Sequence, residues 1–393
     1  MTRTQIGIVG AGPAGLMLSR LLHLAGIESV VLEARSREHV EHRVRAGVLE
    51  QGSVDLLRSS GVGDRLDREG LEHGGINLQF AGERHRVPMK DLTGRSITVY
   101  GQQEVVKDLI ARRLADGGDV RFEVDDVRVT GLETDRPVIR FVHEGRADEI
   151  ECDFVAGCDG FHGVCRGAVP DGVLTAYERT YPFAWLGILA EAVPSTEELI
   201  YCHSPGGFAL VSMRSPKISR LYLQVDPDAD IDEWSDRRVW DELHSRLEVV
   251  GDWRLTEGPV IDKGITAMRS LVVEPMQWQR LYLAGDAVHI VPPTGAKGMN
   301  LALADVRVLG EAFDAWYANG RSDLLDSYSQ TGLERVWRAQ HFSWWMTSML
   351  HQLPGHDPYQ ERLQLAQLRY VTTSESYARS LAENYVGLPF SRG

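Results

Sequence analysis

Apolar residues divide the chain into strand-sized and helix-sized pieces from its first residues onward. Ile6-Gly7-Ile8-Val9 is a short β-branched run, Gly10-Ala11-Gly12-Pro13-Ala14-Gly15 follows it, and Leu16 to Leu22 then places apolar residues at helical spacing. This order predicts strand, tight turn, helix. Ser29-Val30-Val31-Leu32-Glu33 reads as a second strand. Phe154 to Gly163 and Arg280 to Ala287 each read as a strand running into a Gly/Asp turn, and Leu301 to Phe313 as a helix that follows Pro292-Pro293. Leu210 to Arg214 alternates with period two, and Leu221 to Val225 offers a neighbouring strand. Val336 to Leu350 is aromatic-rich, with Trp344, Trp345 and Met346 adjoining, and is expected to pack on the rest of the chain or on a partner subunit. There is no internal repeat and no low-complexity tract.

Composition narrows the class. The 393 residues suggest two or three domains at about 150 residues each, and 43% hydrophobic with 25% charged residues excludes general disorder. A formal charge of −14 repels a phosphate backbone, so nucleic acid is not an expected partner. Cys152, Cys158, Cys165 and Cys202 show no CxxC spacing, which fits a reducing, cytoplasmic location. No run of 18 apolar residues occurs, and the 13 histidines form no HExxH or clustered ligand pattern, so neither a membrane nor a metal is expected.

The first motif carries chemistry. Gly10, Gly12, Ala14 and Gly15 lie on the turn between strand and helix, and Glu33 ends the second strand eighteen residues beyond Gly15. Glycines let the backbone approach a pyrophosphate, the helix N-terminus stabilises its charge, and the acid binds ribose hydroxyls. That pattern serves NAD and FAD alike. The segment Pro292 to Asn300 adds a second helix entrance that would aim free N–H groups at an anion, such as the pyrimidine edge of a reduced flavin.

Several longer blocks then narrow the reading: Arg43 to Gly52, Val99 to Gln102, Ala156 to Gly163, Pro292 to Gly298, Phe342 to Ser348 and Glu383 to Pro389. Together they resemble the flavoprotein aromatic hydroxylases, and within them the 4-hydroxybenzoate hydroxylase family, over nearly the whole chain. The resemblance implies an α/β fold, with a Rossmann-like FAD-binding domain interleaved with a mixed-sheet substrate-binding domain, plus C-terminal helices. It implies FAD as cofactor, a homodimer, and conversion of 4-hydroxybenzoate to 3,4-dihydroxybenzoate with NAD(P)H and O₂, through a flavin 4a-hydroperoxide, in aromatic-compound catabolism. By residue, it implies that Ser212, Arg214 and Tyr222 clamp the carboxylate. Tyr201 and Tyr385 relay the phenolic proton, with His73 at the solvent end of the relay near its ordinary pKa, and the Pro293 carbonyl neighbours the phenol. Arg43, Arg45, Gln102, Asp159, Arg220, Asp286, Lys297, Gly298, Met299 and Asn300 fall on the cofactor side. Met299 departs from the family's leucine, a volume-conserving exchange.

The clamp makes chemical sense on its own terms, since Arg presents a planar fork to a carboxylate and hydroxyls add neutral hydrogen bonds. A single Ser-x-Arg is nevertheless at least as often a solvated strand face. The segment Ala34 to His42 departs from the NADPH-selective form: Arg35 and Arg37 could meet a 2′-phosphate, whereas Glu38 and Glu41 would repel it. This leans to NADH or dual use, beside a plain solvated helix. The expected division is 1–70, 98–180 and 267–345 for FAD, 71–97 and 181–266 for substrate, and 346–393 for C-terminal helices and interface. Two other readings share these residues, a hydroxylase of another phenolic or aminobenzoic acid and a non-catalytic flavin and aromatic-acid binder.

Overall fold

The computed structural model describes residues 2–43, 47–355, 357–387 and 389. Five strands, Leu281–Leu283, Arg146–Gly157, Thr2–Val9, Ser29–Leu32 and Asp119–Arg121, lie parallel in that order. Gln277–Trp278 and the Asp125–Thr130 and Val138–His143 hairpin extend the sheet to eight strands. A parallel strand is buried on both faces, which is why Ile6 to Val9 and Val30 to Leu32 read as unbroken apolar runs. The helices Pro13–Leu24, Gln102–Ala115 and Gly298–Asn319 share one core with these strands through Leu16, Leu109, Leu303 and Val306.

The second eight-stranded sheet runs His289–Ile290, Val260–Glu274, Thr175–Ala190, Ile218–Val225, Ala209–Ser215, Ile200–Cys202, Ile76–Phe80, Glu83–Val87. Its pairings are antiparallel except that between Ile200–Cys202 and Ile76–Phe80. Alternation gives it two different faces. One buries Ile188, Ile200, Val211, Leu221 and Leu223 against Trp240 and Leu243 of the Asp236–Arg246 helix. The other packs Trp185, Tyr201 and Leu210 against the C-terminal helices Tyr328–Leu350, Pro358–Thr373 and Glu375–Val386. The Thr175–Ala190 and Val260–Glu274 strands pair along most of their length, and the expected boundaries at 180/181 and 266/267 fall inside them.

A third sheet joins Val48–Glu50, Ile97–Val99 and Leu71–His73. All four cysteines are buried and free. Among the described residues no helix is long and apolar enough to cross a membrane.

Candidate active site

The dinucleotide end is made chiefly of backbone. Gly10 turns with φ +106°, and a Cβ there would lie 2.3 Å from the Cys158 carbonyl oxygen, so the turn tolerates no side chain. Gly12 caps the Pro13–Leu24 helix without any side-chain acceptor, leaving its first N–H groups to an incoming anion. A Cβ on Gly12, or on Gly298 at the start of the Gly298–Asn319 helix, would meet no protein atom within 4 Å. Glu33 is held at the end of its strand by the N–H groups of Ala11 and Arg35, both at 2.8 Å. Asp159 accepts the Cys165 N–H at 2.8 Å, while its Oδ1 is buried with no protein partner. Asp286 is exposed just beyond strand Leu281–Leu283. Bare glycine surfaces at two helix N-termini, a fixed acid after the second strand and an orphaned carboxylate oxygen fit a flavin dinucleotide.

The substrate end is made of side chains. Tyr201 pairs with Leu210, and Leu210 with Tyr222, so the two tyrosines stand on one face, two strands apart, about 10 Å between backbones. Ser212 faces Arg220 directly, and Arg214, at the irregularity between Met213 and Ser215, acts on Tyr222. Arg220 Cζ lies 5.1 Å from the centre of the Tyr222 ring, and burial pushes this phenol up, but the charges of Arg214 and Arg220 outweigh burial and lower it. Arg220 Nε and Nη1 are buried with no protein partner. Ser212 is buried, its hydroxyl 3.5 Å from the Met213 carbonyl, at the limit of a hydrogen bond. A Cβ on Gly187 would lie 2.6 Å from Arg220 Nη2, so glycine at 187 admits that guanidinium. Together these groups form a desolvated cationic site able to orient a carboxylate.

Opposite it, Tyr201 and Tyr385, distant in sequence, bring their hydroxyls to 2.5 Å. Burial pushes both phenols up, so both stay protonated. Pro293 lies in the turn before the Gly298–Asn319 helix, and its carbonyl accepts the Ala296 N–H at 2.9 Å.

Two residues expected on the cofactor side also have protein partners. Lys297 is buried with its Nζ 2.5 Å from Glu50 and 3.0 Å from the Tyr385 carbonyl oxygen. Burial lowers its pKa and Glu50 opposes that shift. Asn300 donates to the Val48 and Ala296 carbonyls and accepts from Glu50 N–H and Ser53 Oγ, so its amide binds the Val48–Glu50 strand to the helix. Met299 is half-buried beside the core. Gln102 opens the Gln102–Ala115 helix, and Arg43 is exposed at the end of the short Arg37–His42 helix. Arg45 lies outside the described residues.

His73 departs from expectation. It is buried in strand Leu71–His73, neither ring nitrogen has a hydrogen-bond partner, and burial lowers its pKa to about 4. Water exchange near an ordinary pKa does not describe this ring, because its β-strand points it inward. Sequence reasoning also missed Glu50, the partner of Lys297, and Asp305, which accepts from Gly285 N–H at 2.9 Å and His289 Nε2 at 2.6 Å and so steadies the turn that presents Asp286. Neither has a local signal: each is one acid on an ordinary strand or helix.

A mainly parallel sheet carrying a dinucleotide turn, joined to a mainly antiparallel sheet carrying an aromatic and cationic site, defines a flavoprotein that acts on an aromatic anion. The model of the FAD binding domain family matches residues 3–343, and the chain belongs to this family as an FAD-containing monooxygenase. It is 47% identical over 389 residues, 99% of this chain and 96% of the relative, to p-hydroxybenzoate hydroxylase of Acinetobacter baylyi. A 12-dehydrotetracycline 5-monooxygenase/anhydrotetracycline 6-monooxygenase of Streptomyces rimosus is 30% identical over 83% of this chain and 66% of its own. The crystal structure of p-nitrophenol 4-monooxygenase from Pseudomonas putida shares the fold, with TM-score 0.83 and 20% identity over 99% of this chain and all of that one.

Proposed function

We propose that the protein hydroxylates 4-hydroxybenzoate to 3,4-dihydroxybenzoate with NAD(P)H and O₂. The observation that carries this reading is the pairing of two sites on one sheet face, the Arg214–Arg220–Tyr222 cluster and the 2.5 Å Tyr201–Tyr385 contact. A benzene ring with a carboxylate at one end and a phenol at the other spans the interval between them.

Arg214 holds the carboxylate with help from Ser212 and Tyr222, and desolvation strengthens that ion pair. The phenol donates to Tyr201 Oη while Tyr201 donates to Tyr385 Oη, so a shift along this chain moves proton density off the substrate. A free phenol, with a pKa near ~10, is almost wholly protonated at neutral pH, and the phenolate ring is the better nucleophile toward an electrophilic oxygen. Since burial keeps both tyrosines protonated, they conduct a proton without acting as a standing base. Bound FAD supplies hydride acceptance from the nicotinamide and activation of O₂. Gly10, Gly12, Ala14, Gly15, Glu33, Gln102, Asp159, Asp286 and the Gly298–Asn300 turn would hold it, and the buried aromatic wall excludes water from the transfer.

Glu41 accepts from Arg37 Nε at 2.7 Å, which puts a competing carboxylate on one of two candidate cations for a 2′-phosphate and supports NADH or dual use. Exposed Trp344, Tyr359, Leu363 and Tyr370 on the C-terminal helices support self-association as a homodimer, which we place in the cytoplasm. The test is anaerobic stopped-flow reduction of the bound flavin by NADH or NADPH, with and without 4-hydroxybenzoate. Strong acceleration by this ligand, followed by 3,4-dihydroxybenzoate on admission of O₂, is expected. No acceleration with either nucleotide overturns the reading.

A further inference from the structure

Beside the substrate site, on the same sheet face, lies a buried polar chain that the reaction above does not use. Trp185 Nε1 donates to His351 Nε2 at 2.7 Å, and His351 Nδ1 lies 3.0 Å from the Thr347 carbonyl oxygen. Indole N–H can only donate, so Nε2 must accept and the ring proton sits on Nδ1, where the carbonyl receives it. The Thr347 hydroxyl lies 2.9 Å from that of Thr294, in the turn that also carries Pro293. The His351 ring is stacked with Phe208 at 4.3 Å, Phe183 at 4.6 Å and Trp185 at 5.8 Å between centroids. Trp185 in turn lies 4.9 Å from the Tyr222 ring, and Phe208 lies 6.2 Å from that of Tyr201. Burial lowers the His351 pKa to about 3, which agrees with an uncharged ring throughout the working range.

We propose that His351, with its proton on Nδ1, is a positioning residue for oxygen transfer: it fixes Trp185 behind the carboxylate clamp and ties that wall to the Pro293–Gly295 turn beside the flavin site. This rests on the hydroxylase reading above. The two ends of the substrate and the flavin-facing turn belong to three separate segments; the His351 ring touches Trp185 and Phe208, beside Tyr222 and Tyr201, and the main-chain carbonyl of Thr347, whose hydroxyl reaches the turn at Thr294. An error of about 1 Å in their relative placement is enough to lower transfer up to ~100-fold without abolishing binding. The backbone around His351 is anchored independently of the ring, since Gln364 donates to its carbonyl at 2.8 Å and Leu350 and Gln352 are held by His203 and Gln224. Replacing the ring therefore leaves the end of the Tyr328–Leu350 helix docked.

His351→Phe keeps the stack and removes both nitrogens, whereas His351→Gln restores an acceptor for Trp185. In the holoenzyme, His351→Phe is expected to lower product formed per nicotinamide oxidised about tenfold, the difference appearing as hydrogen peroxide, with the KM for 4-hydroxybenzoate changed less than about threefold. His351→Gln should recover most of that loss. Trp185→Phe/His351→Phe should be no worse than the poorer single variant, because both act through one contact. Wild-type coupling in His351→Phe, equal damage in both His351 variants, or additive damage in the double variant overturns the proposal. ¹⁵N-histidine spectra of the wild-type protein read the same contact without turnover, with a protonated Nδ1 and a bare Nε2 expected for His351. A protonated Nε2 overturns the proposal whatever the substrate is. If the wild type fails to hydroxylate 4-hydroxybenzoate while the spectrum is as expected, the substrate reading falls and the His351 contact stands.

Discussion

The two ends of the active site are built from different material. At the dinucleotide end the working groups are chiefly main-chain N–H donors at helix starts and glycines that keep the surface bare, grouped in short local motifs such as Gly10–Gly15 and the start of the Gly298–Asn319 helix. At the substrate end they are side chains from strands near 201, 212 and 222 and from a helix at 385, each engaged by another: Tyr222 by two arginines, Tyr201 by Tyr385. A backbone site is rigid because its atoms belong to the secondary structure itself. A side-chain site depends on every neighbour that fixes a rotamer, so it is the end at which distant residues such as Gly187, Trp185 and His351 matter.

Breaking the substrate end should produce the largest effect. Arg214→Gln removes a desolvated charge partner worth about 3 kcal/mol, so the affinity for 4-hydroxybenzoate should fall ~100-fold or more while FAD content stays normal. Ligand titration followed by flavin fluorescence, with the absorbance ratio of flavin to protein, checks both halves. The converse change is Gly12→Val. A Cβ there meets no protein atom within 4 Å, so the melting temperature of the apoprotein should hold within a few degrees while FAD retention drops at least tenfold. Gly10→Ala, by contrast, strikes the Cys158 carbonyl and should impair folding itself.

Tyr385→Phe sharpens the comparison within the substrate end. It leaves the carboxylate clamp intact and removes one hydroxyl of the proton chain, so hydroxylation and substrate stimulation of flavin reduction should fall ~10–100-fold with unchanged FAD content. Unaltered product formation would exclude the relay. The smallest effect concerns His73. Its folded pKa near 4 lies below the unfolded value of about 6.5, so the unfolded chain binds more protons between those limits. The contribution of neutral His73 is thus fully present above about pH 6.5 and is lost as pH falls toward 4. Denaturant unfolding of His73→Gln should be less pH-dependent than wild type by about 1–2 kcal/mol between pH 6.5 and 5.

Much of this architecture is written locally in the chain. The strand from Ile6 to Val9, the Gly10–Gly15 turn and the second strand ending before Glu33 can be read from apolar spacing and glycines alone, because hydrogen bonds and sterics within some thirty residues decide them. The alternation at 210–214 likewise marks a strand with Ser212 and Arg214 on one face. Spacing could not say whether that face met solvent or substrate, and only resemblance brought Tyr201, Tyr222 and Tyr385 into one argument. Tertiary structure decided the rest: that Tyr385 meets Tyr201 from the opposite side, that Lys297 and Asn300 are engaged by the Val48–Glu50 segment, and that His73 points inward. Partners separated by 250 residues and more leave no periodicity in a sequence. Their charges and protonation depend on burial and on neighbours that exist only once the sheets and C-terminal helices have packed.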